Sequence, residues 1–197
     1  LLEDDASHQP CGGRSEAVVC AVAEREDLLG PAGDPDEVGI VAEAANEHRV
    51  AATPSTVAKL IDLGYTVAVE SGAGRRSTMP DRDYAANGAV IVDRATAWAS
   101  PIVLKVDAPT PEEVDLLDND ATIVGLLAPA QRPDLREALS TRGITAIAME
   151  AVPRISRAQS LDVLSSMANI AGYRAVVEAA HEFGRFFTGQ VTAAGKV

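Results

Sequence analysis

Side chains that could contact a polar ligand are concentrated in one short stretch, residues 154–165. The stretch combines two guanidinium groups, an amide, a carboxylate and several hydroxyls. Guanidinium groups donate hydrogen bonds, a carboxylate accepts them and an amide does both, so together they could orient a ligand. The candidate residues are Arg154, Ile155, Ser156, Arg157, Gln159, Asp162 and Ser165. The alternative interpretation is an ordinary loop, with Arg154 and Asp162 as a structural ion pair and Ser165 as a helix cap.

A run of small apolar residues follows this stretch. Alanines recur at helical spacing, at positions 168, 171, 175 and 179. This spacing predicts a closely packed helix. A polar loop that leads into such a helix would present its donors and acceptors in a fixed geometry.

The negative charge of the chain lies mostly at its start. The 197 residues carry a net charge of −12, and residues 1–37 hold ten acidic and two basic side chains, or −8. We expect residues 1–37 to form a poorly ordered acidic extension, because acidic residues alternate there with glycine and proline. The acidity also argues against nucleic acid as a partner, since phosphates would be repelled.

Metal sites, disulfide frameworks and membrane spans are not expected. Both cysteines, Cys11 and Cys20, lie in the acidic extension without the paired spacing of metal ligands. No apolar run approaches the roughly 20 residues that span a bilayer. A reducing cytoplasm therefore fits the sequence.

Residues 38–149 alternate between short apolar runs and helical segments. The runs predict strands over 38–42, 66–70, 89–92, 102–106, 121–127 and 144–149. Helices are expected to begin at Thr53-Pro54, Asp81, Thr110-Pro111 and Pro133. This alternation is typical of an α/β fold with an open, mostly parallel sheet, Rossmann-like or flavodoxin-like. We expect helices on both faces and a long C-terminal helix.

Polar residues follow several of these strands. Arg49, Lys105, the segment 129–131 and the stretch 154–165 all come after a strand. Ligands of such sheets bind beyond the carboxyl ends of the strands, so these groups are expected to face one crevice. The phosphate-binding pattern G-x-G-x-x-G is absent from the 197 residues, and Gly72-Ala73-Gly74 is interpreted as a turn.

Five blocks of the chain, at 49–54, 69–74, 104–106, 152–162 and 166–174, carry a resemblance to a known family. In this order and spacing they resemble the NAD(H)-binding domain I of proton-translocating NAD(P) transhydrogenase, in its α subunit. The resemblance extends over about residues 38–197, and the earlier blocks are shared with alanine dehydrogenase.

The resemblance implies an oxidoreductase. In that family, NAD(H) lies between two α/β subdomains of domain I, and hydride passes to NADP(H) on a separate domain III. A membrane domain couples the transfer to proton translocation. By the match, Arg154, Gln159, Asp162 and Ser165 contact the nicotinamide and ribose, and the first three are the candidates nearest the chemistry. The resemblance further implies a homodimer of domain I at the cytoplasmic face, peripheral to the inner membrane through partner subunits.

The match covers only the first subdomain, so we expect this chain to supply the nicotinamide side of the site and to be inactive alone. One alternative is an alanine dehydrogenase-like enzyme, in which Arg49 and Lys105 would match the groups that contact the substrate carboxylate and carbonyl. That family places a catalytic histidine after the strand ending near Leu127, but no histidine lies between His48 and His181. The other alternative is a truncated remnant without catalytic activity.

Overall fold

A computed structural model describes residues 36–153, 155–185 and 187–196. The predicted acidic extension lies outside these residues except for its last two, and Glu37 already belongs to the first strand. The chain forms two units, the first ending at Asp162 and the second beginning at Val163.

The first unit is built on a six-stranded sheet in the order β3-β2-β1-β4-β5-β6. Every neighbouring pair of these strands is parallel, which confirms the predicted fold class. The strands are β1 (Glu37–Ile40), β2 (Thr66–Glu70), β3 (Val90–Val92), β4 (Ile102–Asp107), β5 (Thr122–Leu126) and β6 (Thr145–Ala148).

Helices connect consecutive strands: α1 (Pro54–Asp62), α2 (Asp81–Ala86), α3 (Arg94–Trp98), α4 (Pro111–Val114) and α5 (Pro133–Thr141). The Thr-Pro pairs act as predicted. Thr53 Oγ1 accepts a hydrogen bond from Thr56 N at 3.2 Å, and Thr110 forms a reciprocal capping box with Glu113. The sequence analysis did not predict α3, which is only five residues long and too short to show helical periodicity. Its start is marked by Asp93, whose carboxylate accepts from Thr96 N at 2.9 Å.

The hydrophobic core lies on both faces of the sheet. On one face, Trp98 of α3, Leu117 after α4 and Leu139 of α5 pack with Val103 and Ile123. Successive strand residues point to opposite faces, so the neighbours Leu104 and Val124, also buried, belong to the other side. Right-handed crossovers place α1 and α2 on that side, because β1, β2 and β3 progress in the direction opposite to β4, β5 and β6.

The second unit contains helix α6 (Val163–Glu182) and a hairpin of β7 (Val191–Thr192) and β8 (Gly195–Lys196). The predicted long helix is confirmed. None of its side chains is buried, so the close packing that the alanine spacing predicts is not present within this unit. In the part of the chain that the structure describes, no helix has both the length and the apolar character needed to cross a membrane.

The packing of β1 on α3 gives a first prediction. A β-carbon at Gly39 would overlap the carbonyl oxygen of Ala97 and lie 2.8 Å from Ser100 Oγ. Gly39→Ala is therefore expected to lower the free energy of unfolding of the first unit by about 1–3 kcal/mol, measured by urea denaturation. The control is Gly172→Ala in α6, where a β-carbon meets nothing within 4 Å. An equal loss in both variants would contradict the proposed overlap.

Candidate functional site

The crevice expected in an open α/β sheet lies where the strand order changes direction, here between β1 and β4. Two charged side chains fill it. Lys105 Nζ lies 2.8 Å from Glu43 Oε2, and both side chains are 2% exposed. The same carboxylate accepts hydrogen bonds from Val106 N at 2.6 Å and Asp107 N at 3.3 Å. The carboxyl end of β4 is thus occupied by an acid that the chain itself provides.

Further charges extend this pair into a network. Lys105 Nζ lies 3.8 Å from a Glu113 oxygen, and Arg94 contacts Glu113 at 2.8 Å and Glu70 at 3.5 Å. Trp98 lies between the cations, with its ring centre 5.5 Å from the Arg94 guanidinium and 5.8 Å from Lys105 Nζ. Because each cation has an acidic partner, the Lys105 charge is neutralised within the fold.

The loop after β1, residues 42–53, is held by side chains from the segment after β2. Arg76 Nη1 donates to the carbonyl oxygens of Glu43, Ala44 and Glu47. Ser77 Oγ donates to the His48 carbonyl oxygen at 2.5 Å, and Tyr84 OH donates to the Ala52 carbonyl oxygen at 2.9 Å. The loop is therefore attached to the sheet edge along its length.

Arg49 is engaged inside this loop. Its guanidinium donates to Glu47 at 2.6 and 2.9 Å, and the hydrogen bond lowers the pKa of Glu47 to about 2. Arg75, Arg76, Glu43 and Glu47 line a neighbouring cavity of about 560 Å³. The sequence-predicted groups Arg49 and Lys105 thus both lie at the carboxyl edge, and each binds a carboxylate of its own chain.

The candidate stretch 155–162 follows β6 as an exposed turn. Ser156–Leu161 forms a 3₁₀ helix, in which Ser156, Arg157 and Gln159 are exposed. The backbone hydrogen bonds described for this segment are local, including Ala158 N to the Ile155 carbonyl oxygen at 2.9 Å and Asp162 N to that of Gln159 at 3.3 Å. Ser156, Arg157, Gln159 and Ser160 are exposed, whereas Asp162 is half-buried.

The remaining candidates are distributed differently. Arg154 lies outside the described residues, so its pairing with Asp162 stays a prediction. Ile155 is 52% exposed beside the turn. Ser165 lies within the first turn of α6, which begins at Val163, so the helix-cap interpretation of Ser165 is wrong: Asp162 precedes the helix.

Glu150 is a residue of this region that the sequence analysis missed. Its two carboxylate oxygens accept from Leu127 N, at 3.3 Å, and from Ala128 N. These residues form the turn after β5, where Ala128 has a positive φ of 49°. The sequence signal that could have indicated this role is an acidic residue directly after a predicted strand, because the ends of strands leave backbone N–H groups that need an acceptor.

We also searched the described residues for groups of side chains that could bind a metal ion. Among residues 36–153, 155–185 and 187–196, no group of histidine, cysteine and acidic side chains could hold a metal ion.

Comparison of the sequence and fold with known proteins identifies the family. A family model described as "Alanine dehydrogenase/PNT, N-terminal domain" matches residues 39–171. The chain belongs to this family. It is 54% identical over 152 residues to the NAD(P) transhydrogenase subunit alpha of Haemophilus influenzae, covering 77% of this chain and 30% of the relative. It is 39% identical over 128 residues to the alanine dehydrogenase of Bacillus subtilis, covering 64% and 33%.

A solved structure supports the same assignment. Transhydrogenase from Sinorhizobium meliloti matches with a TM-score of 0.76 and 42% identity, covering 82% of this chain and 49% of that chain. The resemblance found in the sequence blocks is thus confirmed for this alanine dehydrogenase/PNT domain. The chain spans about a third of the length of the two curated relatives described above.

The buried pair at the end of β4 gives a second prediction. Removing the Glu43 carboxylate leaves the Lys105 ammonium buried beside two unpaired N–H groups. Glu43→Ala is expected to lower the free energy of unfolding by about 3–5 kcal/mol in urea denaturation. Asp115→Ala is the control, because this carboxylate is 83% exposed beside Arg142, and its removal is expected to cost about 1 kcal/mol or less. Similar losses in the two variants would show that burial does not strengthen the Glu43 pair.

The buried Tyr84 gives a third prediction. Burial raises the pKa of Tyr84 to about 12 from the model-compound value of 10.0. A raised pKa means that the neutral phenol stabilises the fold fully below pH 10, and that this contribution is lost as the pH rises through about 12. Tyrosinate absorbance should show one group titrating near pH 12, absent in Tyr84→Phe. Removal of a group that titrates near pH 10 by this substitution would contradict the prediction.

Proposed function

We propose that this domain supplies the nicotinamide side of the NAD(H) site of a proton-translocating transhydrogenase. The parent enzyme would transfer hydride between NAD(H) and NADP(H) and couple that transfer to proton translocation. The observation that carries the proposal is the exposed turn 155–162, whose polar side chains lie on the carboxyl side of a parallel sheet.

The side chains of this turn fit the nicotinamide group. The side chains of Gln159 and Arg157 have no hydrogen-bond partner among the described residues and are exposed, so both can bind a ligand. The Gln159 amide both donates and accepts, which complements the carboxamide, and Asp162 can accept from a ribose hydroxyl. Arg154 would fix the Asp162 carboxylate, and Ile155, Ser156 and Ser165 would complete the contacts.

The cofactor supplies the reactive hydride, so the domain needs no nucleophile of its own. Its contribution is to orient the carboxamide and ribose and to exclude water from the transfer. Arg154, Gln159 and Asp162 are the residues that we propose for the orientation.

The phosphates of the dinucleotide would be bound elsewhere. Phosphate sites need free backbone N–H groups or a glycine-rich loop at a helix start. In the described first unit, Glu43 binds the N–H groups at the end of β4, and Glu150 binds those after β5. We therefore propose that a second, Rossmann-type subdomain holds the pyrophosphate.

Alanine dehydrogenase-like chemistry is less well supported. Lys105 and Arg49, the groups that would contact a substrate carbonyl and carboxylate, are bound by Glu43 and Glu47. The turn after β5 carries Ala128 and Pro129, so it offers no proton donor for pyruvate amination. NADH oxidation in the presence of pyruvate and ammonium is the assay that would detect this activity.

Partners follow from the proposed function. The domain would act with an NADP(H)-binding domain III and a membrane domain of the same complex, as a homodimer of domain I. It would then lie at the cytoplasmic face, attached to the inner membrane through those subunits.

The fourth prediction tests the function in a chimera. Residues 38–190 replace the matching segment of the Haemophilus influenzae α subunit, and reduction of an NAD analogue by NADPH is measured in the complete complex. The chimera should be active. Gln159→Ala and Asp162→Asn should each lower kcat/KM for the NAD analogue by about tenfold or more, because each removes a directional hydrogen bond.

The control is Asn119→Ala, an exposed amide that precedes β5 and so lies at the opposite end of the strands. It should leave kcat/KM unchanged. An active chimera in which Gln159→Ala behaves like Asn119→Ala would exclude the proposed role of the turn. The 197-residue chain alone should bind NADH with a Kd above about 100 μM in calorimetry.

A further inference from the structure

We propose that Glu150 is a positioning residue for residues 155–162, here called the cofactor turn. It would act through its hydrogen bonds to the separate turn that follows β5. This inference rests on the proposed function, because it concerns how residues 155–162 are held in place. Glu150 does not belong to the turn that it would position.

The position of the turn depends on the residues that connect it to β6, beginning at Met149, which we call the root of the turn. Backbone hydrogen bonds described between residues 152 and 162 join residues no more than three apart, so they shape the turn without attaching it to the sheet. At the root, Met149 is 3% exposed and fixes the backbone in the core. The next residue, Glu150, is bonded to a different strand connection, some twenty residues earlier in the chain.

The Glu150 carboxylate is suited to this role because it has two acceptor oxygens. One oxygen accepts from Leu127 N at 3.3 Å and the other accepts from Ala128 N. A glutamine side chain has one acceptor oxygen and an NH₂ group, which would face an N–H donor. In the observed geometry each carboxylate oxygen has its own N–H donor, so glutamine would leave one of the two donors facing its NH₂ group.

The Ala128 backbone supplies a second, independent observation. Its φ of 49° is in the left-handed region, which costs about 1–2 kcal/mol for a residue with a β-carbon. The Ala128 carbonyl oxygen also accepts from Gln131 N at 2.9 Å and Arg132 N at 3.0 Å, where α5 begins. Glu150 thus holds a strained residue and links α5, β5 and the cofactor turn.

Both observations predict a specific compensation. Glycine adopts positive φ without a steric cost, so Ala128→Gly lowers the demand on the Glu150 carboxylate. Glu150→Gln alone should displace the cofactor turn, and the double variant should restore most of its position. A residue that contributed only general stability would instead leave the amide shifts of residues 155–162 in the folded state unchanged.

The first experiment needs no cofactor and uses the 197-residue chain. Backbone amide spectra and hydrogen exchange are recorded for residues 127–128 and 155–162. Glu150→Gln should shift the amides of both segments and speed exchange in the turn. The control is Glu137→Gln, an exposed carboxylate of α5, which should move neither. Shifts confined to residues 127–128 would overturn the proposal.

The second experiment separates this proposal from the proposed function. In the active chimera, Glu150→Gln should lower kcat/KM for the NAD analogue about tenfold and leave KM for NADPH unchanged, with recovery in Ala128→Gly/Glu150→Gln. If Glu150→Gln alone does not fold, the double variant is compared with Ala128→Gly. If the chimera without further substitutions is inactive but Glu150→Gln displaces the turn in the 197-residue chain, the proposed function is rejected and the positioning role is kept. Unchanged kcat/KM in an active chimera would overturn the positioning role alone.

Discussion

Backbone N–H groups at the carboxyl ends of parallel strands must find acceptors, and here carboxylates provide them. Ala42 N, after β1, donates to Glu70 at 2.8 Å, and Gly72 N, after β2, donates to Asp81 at 2.8 Å. Glu43 binds the end of β4 and Glu150 binds the turn after β5. Glu70, Glu43 and Glu150 each come from a segment other than the one that they bind, so these three contacts also fix the loops relative to the sheet. The rest of the carboxyl edge depends on this arrangement, since an unpaired buried N–H group costs about 1–3 kcal/mol.

The same arrangement determines what the edge can bind. In sheets of this type the crevice at the change of strand order often receives a ligand, but here Glu43 and Lys105 fill it with a neutralised pair. Exposed polar side chains without a hydrogen-bond partner among the described residues, those of Arg157 and Gln159, instead lie two strands further along the sheet, on the turn after β6. This distribution of charged and exposed groups is the basis of the proposal that the first subdomain orients the nicotinamide and that a different set of donors binds the phosphates.

Much of the fold could be predicted because it depends on local patterns. Six apolar runs became six parallel strands, and the Thr-Pro pairs at 53–54 and 110–111 became helix starts. Helix α3 and the β7–β8 hairpin were missed because each is too short to show a period. The candidate site was predicted from a concentration of polar residues, and in the structure residues 155–162 form a largely exposed turn. The roles of Arg154, Gln159, Asp162 and Ser165 in binding remain predictions, with Arg154 outside the described residues.

The sequence by itself determined most of the elements, their alternation and membership of the alanine dehydrogenase/PNT domain family, because periodicity, helix caps and the family's sequence blocks are properties of neighbouring residues. Only the tertiary structure decided how the charges pair. Glu43 binds Val106 N, 63 positions along the chain, and Glu150 binds Ala128 N, 22 positions away. Such partners meet because the strand order β3-β2-β1-β4-β5-β6 brings particular strand ends together. No local pattern encodes that order, so Lys105 was expected to face a ligand, and the fold instead gave it an acid of its own chain.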